Sequence, residues 1–593
     1  MTLATAFALA AALWTGGDTP PDSLQVIRTL PAADKAALTT DTAMVAAAHP
    51  LASEAGRRAL AAGGNFADAA VAVQAMLAVV EPESSGPGGG CFLLFHDMAT
   101  DSLYAIDGRE EAPAWFRASM FVNEHGQPVD DIMTGGMPVG VPGTLAAMAL
   151  LHQDFGRLPF AELMEAAIAV ADTGFPVPPD MARGIVSEAD RLARFDASVD
   201  LYFHPDGTPY REGETFRNPD LAKTLRLWAD DPAAQFFYRG ELGLAMSGVV
   251  GSNSFRKGRL RISDLANYKA LYREPILGSF RGHTLAVMPP PTSGGIALLE
   301  MLGLYATQPK LGGDPHDAAT LIPHLDRLAR ASRTAYADRD RWLGDPDWSP
   351  EIPMRALCSP EWVASRAPAA FAPDADLTLA ADPGDLARHT THFSIVDADG
   401  SMLACTSTIE TIFGCAQVVP GYGFPLNNEL TDFNWIAAED DPAPNDPQTG
   451  RTTRASSLNY PQSQGGKRPR SSMCPVIVYG ADGRPAMALG SPGGSRIIGT
   501  VADVLLGVLE FDLDLQDAVD FPRLHCRNQP VELETFGWNR DVVADSLAAR
   551  GWTVAPLAYW PLLQGDVNAV HVLKDGRRQG VSDPRHDGGP AGY

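Results

Sequence analysis

The chain has 593 residues, 45% of them hydrophobic and 20% charged, which is typical of a globular protein with a large core. Its formal net charge of −26 argues against nucleic acid or an anionic membrane surface as a partner. The six cysteines form no C-x-x-C pair, so neither a zinc site nor any other metal or cofactor is predicted. Cys405 and Cys415 are close enough along the chain to pair in an oxidising compartment.

Residues 1–40 are predicted to be a leader and linker. The apolar run from Ala6 to Trp14 resembles the hydrophobic part of a secretion signal but has no basic segment before it. A periplasmic or extracellular location is therefore favoured, and a cytoplasmic one stays open. No stretch of about 18 apolar residues follows, so no membrane span is predicted.

The first half of the chain alternates helical and strand-like patterns. Ser53 is in position to cap a short helix, and the Ala/Val-rich stretch Ala67–Val80 predicts a buried helix. A glycine-rich loop then leads into Phe92–Phe95, which predicts a buried strand. Further along, residues 289–295 predict a rigid break between a strand and a helix, and Leu321–Tyr336 predicts an amphipathic helix.

Two irregular segments follow in the second half. Residues 366–388 are rich in Ala, Asp and Pro, a composition that suits an exposed segment open to cleavage. Residues 434–468 are polar, and loops of this length are usually functional lids or disordered. From Met487 the pattern predicts a strand, a glycine-rich loop and a helix that ends near Leu509.

A β-hairpin is predicted between these irregular segments. Residues 392–396 and 402–408 are strand-like, and Ala-Asp-Gly at 398–400 fits a three-residue loop with glycine in a left-handed conformation. The pairing that this loop imposes places Thr390 opposite Thr408. A two-residue turn would shift the pairing by one residue and turn Thr408 to the other face.

Thr390 is the candidate nucleophile. If the peptide bond before a threonine is cut, its free α-amine can act as general base for its own hydroxyl, so one residue supplies both functions. The surrounding sequence, Arg-His-Thr-Thr-His-Phe-Ser-Ile-Val-Asp, resembles the processing site of γ-glutamyltranspeptidases, an N-terminal-nucleophile hydrolase family. The resemblance implies a precursor cut between His389 and Thr390 into a large subunit, residues 41–389, and a small subunit, residues 390–593.

Two further motifs resemble the family's segments for the substrate head group. In Asp-Gly-Arg-Glu-Glu-Ala-Pro, Arg109 would bind the α-carboxylate of a γ-glutamyl substrate, because a guanidinium makes paired hydrogen bonds to a carboxylate. In Leu-Asn-Asn-Glu-Leu-Thr-Asp-Phe, Glu429 and Asp432 would hold the α-ammonium, and Asn428 belongs to the same binding segment. Taken alone, the first motif is an ordinary surface arginine and the second an acidic capping turn.

Three more features resemble parts of the same active site. Ser471 and Ser472 resemble the family's paired serines, which donate hydrogen bonds to the α-carboxylate. In Gly-Ser-Pro-Gly-Gly-Ser-Arg, the backbone N–H groups of Gly493 and Gly494 would face the tetrahedral intermediate as an oxyanion hole. Thr408 matches the second threonine, which orients the nucleophile. Alone, paired serines are nearly uninformative, and the glycines form an ordinary turn before a helix.

Glu410 departs from the family pattern, because better-known members have asparagine at this position near the α-ammonium. The additional carboxylate would bind the ammonium more strongly or mark a changed acyl preference, so the acyl group stays open. No G-x-S-x-G, H-E-x-x-H or Walker A motif is present, which argues against those other chemistries.

The resemblance implies an α+β fold, a four-layer αββα sandwich of two mostly antiparallel sheets covered by helices. It implies an enzyme that cleaves γ-glutamyl compounds such as glutathione through a γ-glutamyl-threonine ester and transfers the acyl group to water, an amino acid or a peptide. A cephalosporin or glutaryl acylase of the same family would use the same nucleophile. An unprocessed binding or scaffold protein is the alternative of another class.

Overall fold

Two seven-stranded sheets lie face to face at the centre of the molecule, and helices cover the outer face of each. The computed structural model describes residues 35–125, 128–252, 255–350, 352–372, 388–433, 465–527, 530–534, 540–557 and 564–593. The predicted four-layer α+β sandwich is confirmed.

The strands, in chain order, are β1 Leu38–Thr40, β2 Met44–Ala47, β3 Gly90–Asp97, β4 Ser102–Gly108, β5 Phe175–Pro176, β6 Thr215–Phe216, β7 Leu271–Arg273, β8 Ile276–Phe280, β9 His283–Val287, β10 Arg388–Val396, β11 Met402–Thr411, β12 Val476–Tyr479, β13 Pro485–Leu489, β14 Leu524–His525, β15 Val531–Glu534, β16 Val554–Leu557, β17 Asn568–Val572, β18 Arg578–Ser582 and β19 Gly589–Gly592. The first sheet has the order β19-β2-β10-β11-β3-β4-β7, and the second has the order β1-β18-β17-β13-β12-β9-β8. Neighbouring strands in both are antiparallel.

The helices are α1 Pro50–Ala61, α2 Phe66–Val80, α3 Thr144–Phe155, α4 Phe160–Thr173, α5 Pro179–Ser187, α6 Ala189–Leu192, α7 Asp196–Tyr202, α8 Pro219–Asp230, α9 Gln235–Tyr238, α10 Glu241–Ser252, α11 Ile262–Asn267, α12 Gly294–Ala306, α13 Ala318–Trp342, α14 Met354–Leu357, α15 Pro360–Ala370, α16 Ile497–Leu509, α17 Leu515–Asp520 and α18 Arg540–Ala548. Short 3₁₀ turns span Ala118–Phe121, Glu429–Asp432 and Gly494–Arg496.

Strand β10 divides its side chains between two layers, because successive residues of a strand point to opposite faces. Phe393 and Ile395 pack into the core beneath α1 and α2. Val396 packs between the two sheets. His392 and Ser394 lie on that inner face, where the Ser394 hydroxyl donates to a carbonyl of the second sheet. Thr390, two residues before His392, therefore faces the space between the sheets.

The predicted buried helix is confirmed as α2, but the predicted cap of the helix before it is wrong. Helix α1 begins at Pro50 with His49 as its N-cap residue, because proline at the first helical position already has the required φ and no N–H to satisfy. Ser53 lies inside the helix, where its hydroxyl accepts a hydrogen bond from the backbone N–H of Ala47. It therefore joins α1 to strand β2.

The other predicted elements agree with the structure. The break at 289–295 separates β9 from α12, and the predicted amphipathic helix lies within α13. The strand after Met487 and the helix to Leu509 correspond to β13 and α16.

Cys405 and Cys415, which the sequence allows to pair, do not form a disulfide, because all six cysteines are free. Cys405 lies in β11, where it contacts Cys91 of the neighbouring strand β3. Burial is the main cause that raises the pKa of the Cys405 thiol, and the contact with Cys91 adds to it.

Three irregular segments are predicted from the sequence, at residues 1–40, 366–388 and 434–468. The greater part of each lies outside the described residues. Within the predicted leader, Leu38–Thr40 forms β1 and pairs with β18. Helix α15 extends to Ala370, so the predicted cleavable segment starts as a helix. Of the loop predicted at 434–468, the structure describes residues 465–468.

Candidate active site

The predicted hairpin register is confirmed. Strand β10 pairs with β11 so that Thr390 lies opposite Thr408, and Gly400 in the connecting loop has a φ of +88°. The hydroxyl oxygens of Thr390 and Thr408 are 3.1 Å apart. The backbone N–H of Glu410 donates to Thr408 Oγ1 at 2.9 Å. Thr408 is therefore held where it can hydrogen-bond the candidate nucleophile.

The strand pairing is irregular where the sequence predicts cleavage. The register between β10 and β11 shifts by one residue between Arg388 and Thr390, which is the signature of a β-bulge. His389 lies at this irregularity, directly before Thr390. The peptide bond predicted to be cut therefore lies next to the point where regular pairing ends.

Thr390 and Thr408 border a cavity that collects most of the predicted site residues. Its lining consists of Arg109, Thr390, Thr408, Glu410, Glu429, Asp432, Ser471, Ser472, Met473, Gly494 and Ile497. These residues come from parts of the chain that are distant in sequence, and the sandwich fold brings them to one place.

Arg109 and the predicted ammonium-binding acids form one buried ion cluster. The guanidinium donates to Asp432 Oδ2 at 2.6 Å and also to Glu429 Oε1, and its Nε donates to Pro469 O at 3.1 Å. Burial alone would lower the pKa of Arg109, but the neighbouring carboxylates outweigh burial and raise it above its usual value. The arginine is therefore held in its charged form, between the carboxylates of Glu429 and Asp432.

Glu110 is a member of this cluster that the sequence did not single out. Its carboxylate lies 3.8 Å from Arg109 Nη1 and is completely buried. Burial, followed by the negative charge of Glu429, raises the pKa of Glu110 well above its usual value, which favours the protonated form of this carboxyl. The Glu-Glu pair after Arg109 was visible in the sequence, but its burial was not.

The two asparagines before Glu429 hold the acidic turn in place. Asn427 donates to Gly88 O at 2.7 Å, and its Oδ1 accepts from Glu429 N at 3.1 Å. Asn428 donates to Thr411 Oγ1 at 2.7 Å and to Met133 O at 3.2 Å. The Asn428 amide thus binds groups beside the cavity described above.

Glu410 has an unusual backbone conformation. Its φ is +78°, a value uncommon outside glycine and more frequent for asparagine than for glutamate. The side chain is buried and accepts a hydrogen bond from Thr431 Oγ1 at 2.5 Å. This conformation lets the same residue turn its N–H to Thr408 and its carboxylate into the cavity.

The two serines are arranged to donate hydrogen bonds. Ser471 Oγ accepts from Met473 N at 3.1 Å, and Ser472 Oγ accepts from Arg339 Nη2 at 2.7 Å. A serine hydroxyl has one proton and two lone pairs, so a donor on one lone pair leaves the proton to be directed elsewhere. Both serines line the cavity, and their hydroxyl protons can therefore serve an anion there.

The glycine-rich loop has the conformation that only glycine adopts without strain. Gly493 has a φ of +126° and Gly494 a φ of +57°, and helix α16 follows at Ile497. Gly494 and Ile497 line the cavity with Thr390. The N-terminal end of a helix favours negative charge, so this side of the cavity suits a developing oxyanion.

His392 is a buried histidine near the nucleophile that the sequence did not assign. Burial lowers its pKa to about 3, so the ring is neutral. Its Nε2 is 3.0 Å from Ser394 Oγ, which itself donates to Asn568 O, and its Nδ1 is 2.9 Å from Thr406 Oγ1. The ring therefore links the strands, and both of its nitrogens are occupied away from Thr390.

A second acidic cavity lies on the other face of β10. Thr391 donates from Oγ1 to Glu81 Oε2 at 2.6 Å. We call the titratable residues around this cavity the rear cluster; they are His49, Glu81, Glu83, Asp180, Asp566, His586 and Asp587. Burial, above all, raises the pKa of Glu81 to about 8 and that of Asp566 to about 6.

No group of His, Cys, Asp and Glu side chains in the described ranges has the arrangement of a metal site. The same part of the chain contains no helix long and apolar enough to cross a membrane.

Two stacked antiparallel sheets between helical layers, with a threonine hydroxyl held at the start of a central strand, define the N-terminal-nucleophile hydrolase class. The family model for gamma-glutamyltranspeptidase matches residues 52–593. The chain is therefore an enzyme of the γ-glutamyltranspeptidase family.

Similar proteins include both glutathione hydrolases and acylases. The glutathione hydrolase proenzyme of Bacillus subtilis (strain 168) is 33% identical over 570 residues, which cover 93% of this chain and 91% of the relative. The acylase ACY 1 proenzyme of Pseudomonas sp. (strain SE83) is 33% identical over 558 residues, 92% of this chain and 93% of the relative. The crystal structure of cephalosporin acylase from Bacillus halodurans matches with a TM-score of 0.79 and 25% identity, covering 98% of this chain and 99% of that one.

Proposed function

We propose that the chain is a self-processing γ-glutamyltranspeptidase and glutathione hydrolase with Thr390 as its nucleophile. The observation that carries the proposal is the 3.1 Å contact between the Thr390 and Thr408 hydroxyls beside the buried Arg109 cluster. A nucleophile, its orienting partner and a charged head-group site thus share one cavity. The glutathione hydrolase relative, similar over nearly its full length, supports the same activity.

Maturation uses the hydroxyl that later performs turnover. Thr390 Oγ1 attacks the carbonyl carbon of His389, the C–N bond to Thr390 breaks, and the Thr390 nitrogen takes up a proton. The resulting ester joins His389 to the Thr390 oxygen, and water hydrolyses it. The products are a large fragment that ends at His389 and a small fragment that begins with a free α-amine on Thr390.

Turnover repeats this acyl transfer with a γ-glutamyl amide. The Thr390 α-amine accepts the hydroxyl proton while Oγ1 attacks the γ-carbonyl. The N–H groups of Gly493 and Gly494 stabilise the oxyanion, and loss of one such donor typically costs about 3–4 kcal/mol of barrier. The amine leaves with the proton, and water or an amine acceptor then resolves the γ-glutamyl ester.

The head group would bind by charge and by donated hydrogen bonds. Arg109, with the hydroxyl protons of Ser471 and Ser472, would hold the α-carboxylate. Glu429, Asp432 and Glu410 would hold the α-ammonium, with Asn428 supporting the turn on which two of them lie. A glutaryl group lacks the ammonium, so a site with three such carboxylates favours glutamyl over glutaryl.

A glutaryl or cephalosporin acylase is the second candidate, because an acylase ACY 1 proenzyme and the structure of a cephalosporin acylase match nearly the whole chain. Three anilides separate the candidates: γ-glutamyl anilide has both charges, glutaryl anilide has the carboxylate alone, and 4-aminobutanoyl anilide has the ammonium alone. We expect the highest kcat/KM with γ-glutamyl anilide. A preference for glutaryl anilide would contradict the roles proposed for Glu429 and Asp432.

Self-processing separates the enzyme from an inert scaffold on the same fold. A denaturing gel of the purified chain is expected to show two fragments, with Thr390 at the new N-terminus by sequencing. Thr390→Ala is expected to stay as one band. A single full-length wild-type band without activity would contradict the proposal.

We further propose that the enzyme acts outside the cytoplasm, on the basis of the apolar run from Ala6 to Trp14. N-terminal sequencing of the large fragment from periplasmic and cytosolic fractions tests this. A start after Trp14 in the periplasmic fraction is expected, whereas an intact Met1 in the cytosol would contradict it.

A further inference from the structure

Helix α13 presents two buried polar side chains to two different parts of the active site. Tyr336 and Arg339 are three residues apart, so they lie on one face of the helix. Both are buried, at 1% and 5% exposure. The helix precedes Thr390 in the chain, whereas the groups that these two side chains contact in the site follow it.

All three guanidinium nitrogens of Arg339 donate hydrogen bonds, and one of them donates to the serine pair. Its Nη2 donates to Ser472 Oγ at 2.7 Å, its Nε to Ser293 Oγ at 2.7 Å, and its Nη1 to Asp340 Oδ1 at 2.6 Å. Ser293 continues the connection, because its hydroxyl and its backbone N–H both donate to Ser471 O, at 2.5 and 2.9 Å. The guanidinium therefore fixes both serines.

The carboxylate of Asp340, next to Arg339, is shared by three arginines. Asp340 accepts not only from Arg339 but also from Arg470 at 3.1 Å and from Arg527 at 3.3 Å. One carboxylate thus serves three guanidinium groups. This shared ion pair holds the Arg339 guanidinium in place beside Ser472.

Tyr336 contacts the other part of the site. Its hydroxyl donates to the backbone carbonyl of Ser495, the residue after Gly494 in the 3₁₀ turn Gly494–Arg496. A buried hydroxyl bonded to this carbonyl restrains the rotation of the turn, and with it the direction of the Gly494 N–H.

We propose that Arg339 and Tyr336 are positioning residues that align the carboxylate subsite with the oxyanion loop. Arg339 aims the Ser472 proton at the substrate carboxylate, and Tyr336 fixes the turn that carries Gly494. The inference rests on the function proposed for Ser472 and Gly494. Because one rigid helix holds both, the distance between the head group and the reacting carbonyl is set by α13.

The first test is Arg339→Gln with the three anilides. We expect kcat/KM to fall by about 10–100-fold for the two anilides that carry a carboxylate, mainly through KM, because one or two charge-assisted hydrogen bonds are lost. We expect less than about a threefold change for 4-aminobutanoyl anilide, which has no carboxylate to lose. Where turnover of an anilide is too slow, its inhibition constant against the best substrate replaces KM.

Two further variants make this test specific. Arg339→Lys keeps the charge but not the fork geometry, and we expect partial recovery. Arg327→Gln removes an arginine from the same helix that donates to Pro309 O, and it should behave as wild type. An equal loss on all three anilides would overturn the positioning role of Arg339.

A wild type that prefers glutaryl anilide would refute the proposed function but leave the Arg339 test intact, since that acyl group keeps the carboxylate.

The second test is Tyr336→Phe. We expect kcat to fall by about 10-fold on all three anilides with little change in KM, because the oxyanion loop acts only after substrate has bound. Self-processing should slow in parallel on a gel time course. The control is Tyr305→Phe, which removes a buried hydroxyl bonded to His324 instead. An unchanged kcat and processing rate, or a change confined to KM, would overturn the role of Tyr336.

Discussion

Two acid-rich regions border the same strand, and they differ in their access to positive charge. The head-group cluster, which comprises Arg109, Glu110, Glu410, Glu429 and Asp432, lies on the Thr390 side of β10. There a guanidinium binds two carboxylates directly. The rear cluster lies on the Thr391 side, where the hydroxyl of that threonine is the partner of Glu81.

The difference lies in which carboxylates are directly paired with a cation: Glu429 and Asp432 in the head-group cluster, and Asp180 in the rear cluster. In the rear cluster His586 and Arg183 both bind Asp180. Burial and then the neighbouring Glu81 raise the pKa of Glu83 well above its usual value. Burial therefore favours the protonated forms of Glu81 and Glu83 next to β10, whereas the carboxylates bound to Arg109 form ion pairs.

The largest expected effect comes from removing the cation of the head-group cluster. Arg109→Gln leaves Glu429 and Asp432 buried without it, so we expect a loss of about 3–5 kcal/mol in stability. We expect kcat/KM for γ-glutamyl anilide to fall by at least about 100-fold. Thermal unfolding and anilide kinetics measure the two effects. Arg327→Gln is the control, and an Arg109→Gln enzyme with wild-type kinetics would contradict the assignment.

A matched pair of threonine variants compares the two faces of the hairpin. Thr408→Val removes the hydroxyl that contacts Thr390, and we expect kcat to fall about 10–100-fold. Thr391→Val removes the donor to Glu81, and we expect kcat to change by less than about threefold while stability falls by about 1–3 kcal/mol. Anilide kinetics measure the change in kcat of both variants, and thermal unfolding measures the change in their stability. Similar kcat values for the two would remove the distinction between the faces.

The buried Glu81 of the rear cluster is expected to make the stability of the protein depend on pH. The pKa of Glu81 in the folded protein is about 8, raised mainly by burial from an ordinary value of 4.5. The folded state therefore binds this proton more tightly, and its stabilising effect is complete below pH 4.5 and lost as pH rises through 8. Glu81→Gln should make the thermal midpoint fall less steeply between pH 5 and 9. The exposed Glu124→Gln is the control, and parallel curves for wild type and Glu81→Gln would contradict the assignment.

The smallest expected effect is at Glu410. Glu410→Asn places a residue that tolerates positive φ at a strained position, and we expect a gain of up to about 1 kcal/mol in stability. The kcat/KM preference for γ-glutamyl over glutaryl anilide should fall severalfold as one carboxylate leaves the ammonium site. Glu410→Gln removes the charge but keeps the strain, so it should change the preference without the gain in stability. A preference unaltered in both variants would exclude Glu410 from acyl selection.

Local chemistry in the sequence was enough for the hairpin. Glycine at the loop position with positive φ predicts the register that pairs Thr390 with Thr408, and the structure has this register. Motif resemblance supplied Arg109 and Glu429, but not the direct ion pair between them. That pair joins residues 320 apart in the chain, a separation that no local pattern encodes.

The roles of Arg339 and Tyr336 could not be predicted from the sequence either, because their partners are also distant in the chain. Helix α13 has an amphipathic pattern, which predicts a buried face but not what that face contacts. Arg339 lies 133 residues before Ser472, and an arginine in a helix is ordinarily exposed. The failed Ser53 cap arose similarly, since a tertiary contact gave Ser53 another partner.

The order of strands in the two sheets has a consequence for refolding. In the first sheet β10 and β11 lie between β2 and β3, and β19 lies outside β2, so segments from before and after Thr390 are interleaved. The precursor can refold as a single chain, whereas the cut enzyme must bring two chains together. Recovery of the mature enzyme from denaturant should therefore depend on protein concentration, as a second-order reaction does. Cleavage would thus convert a reversible fold into one that is preserved mainly by the slowness of its unfolding.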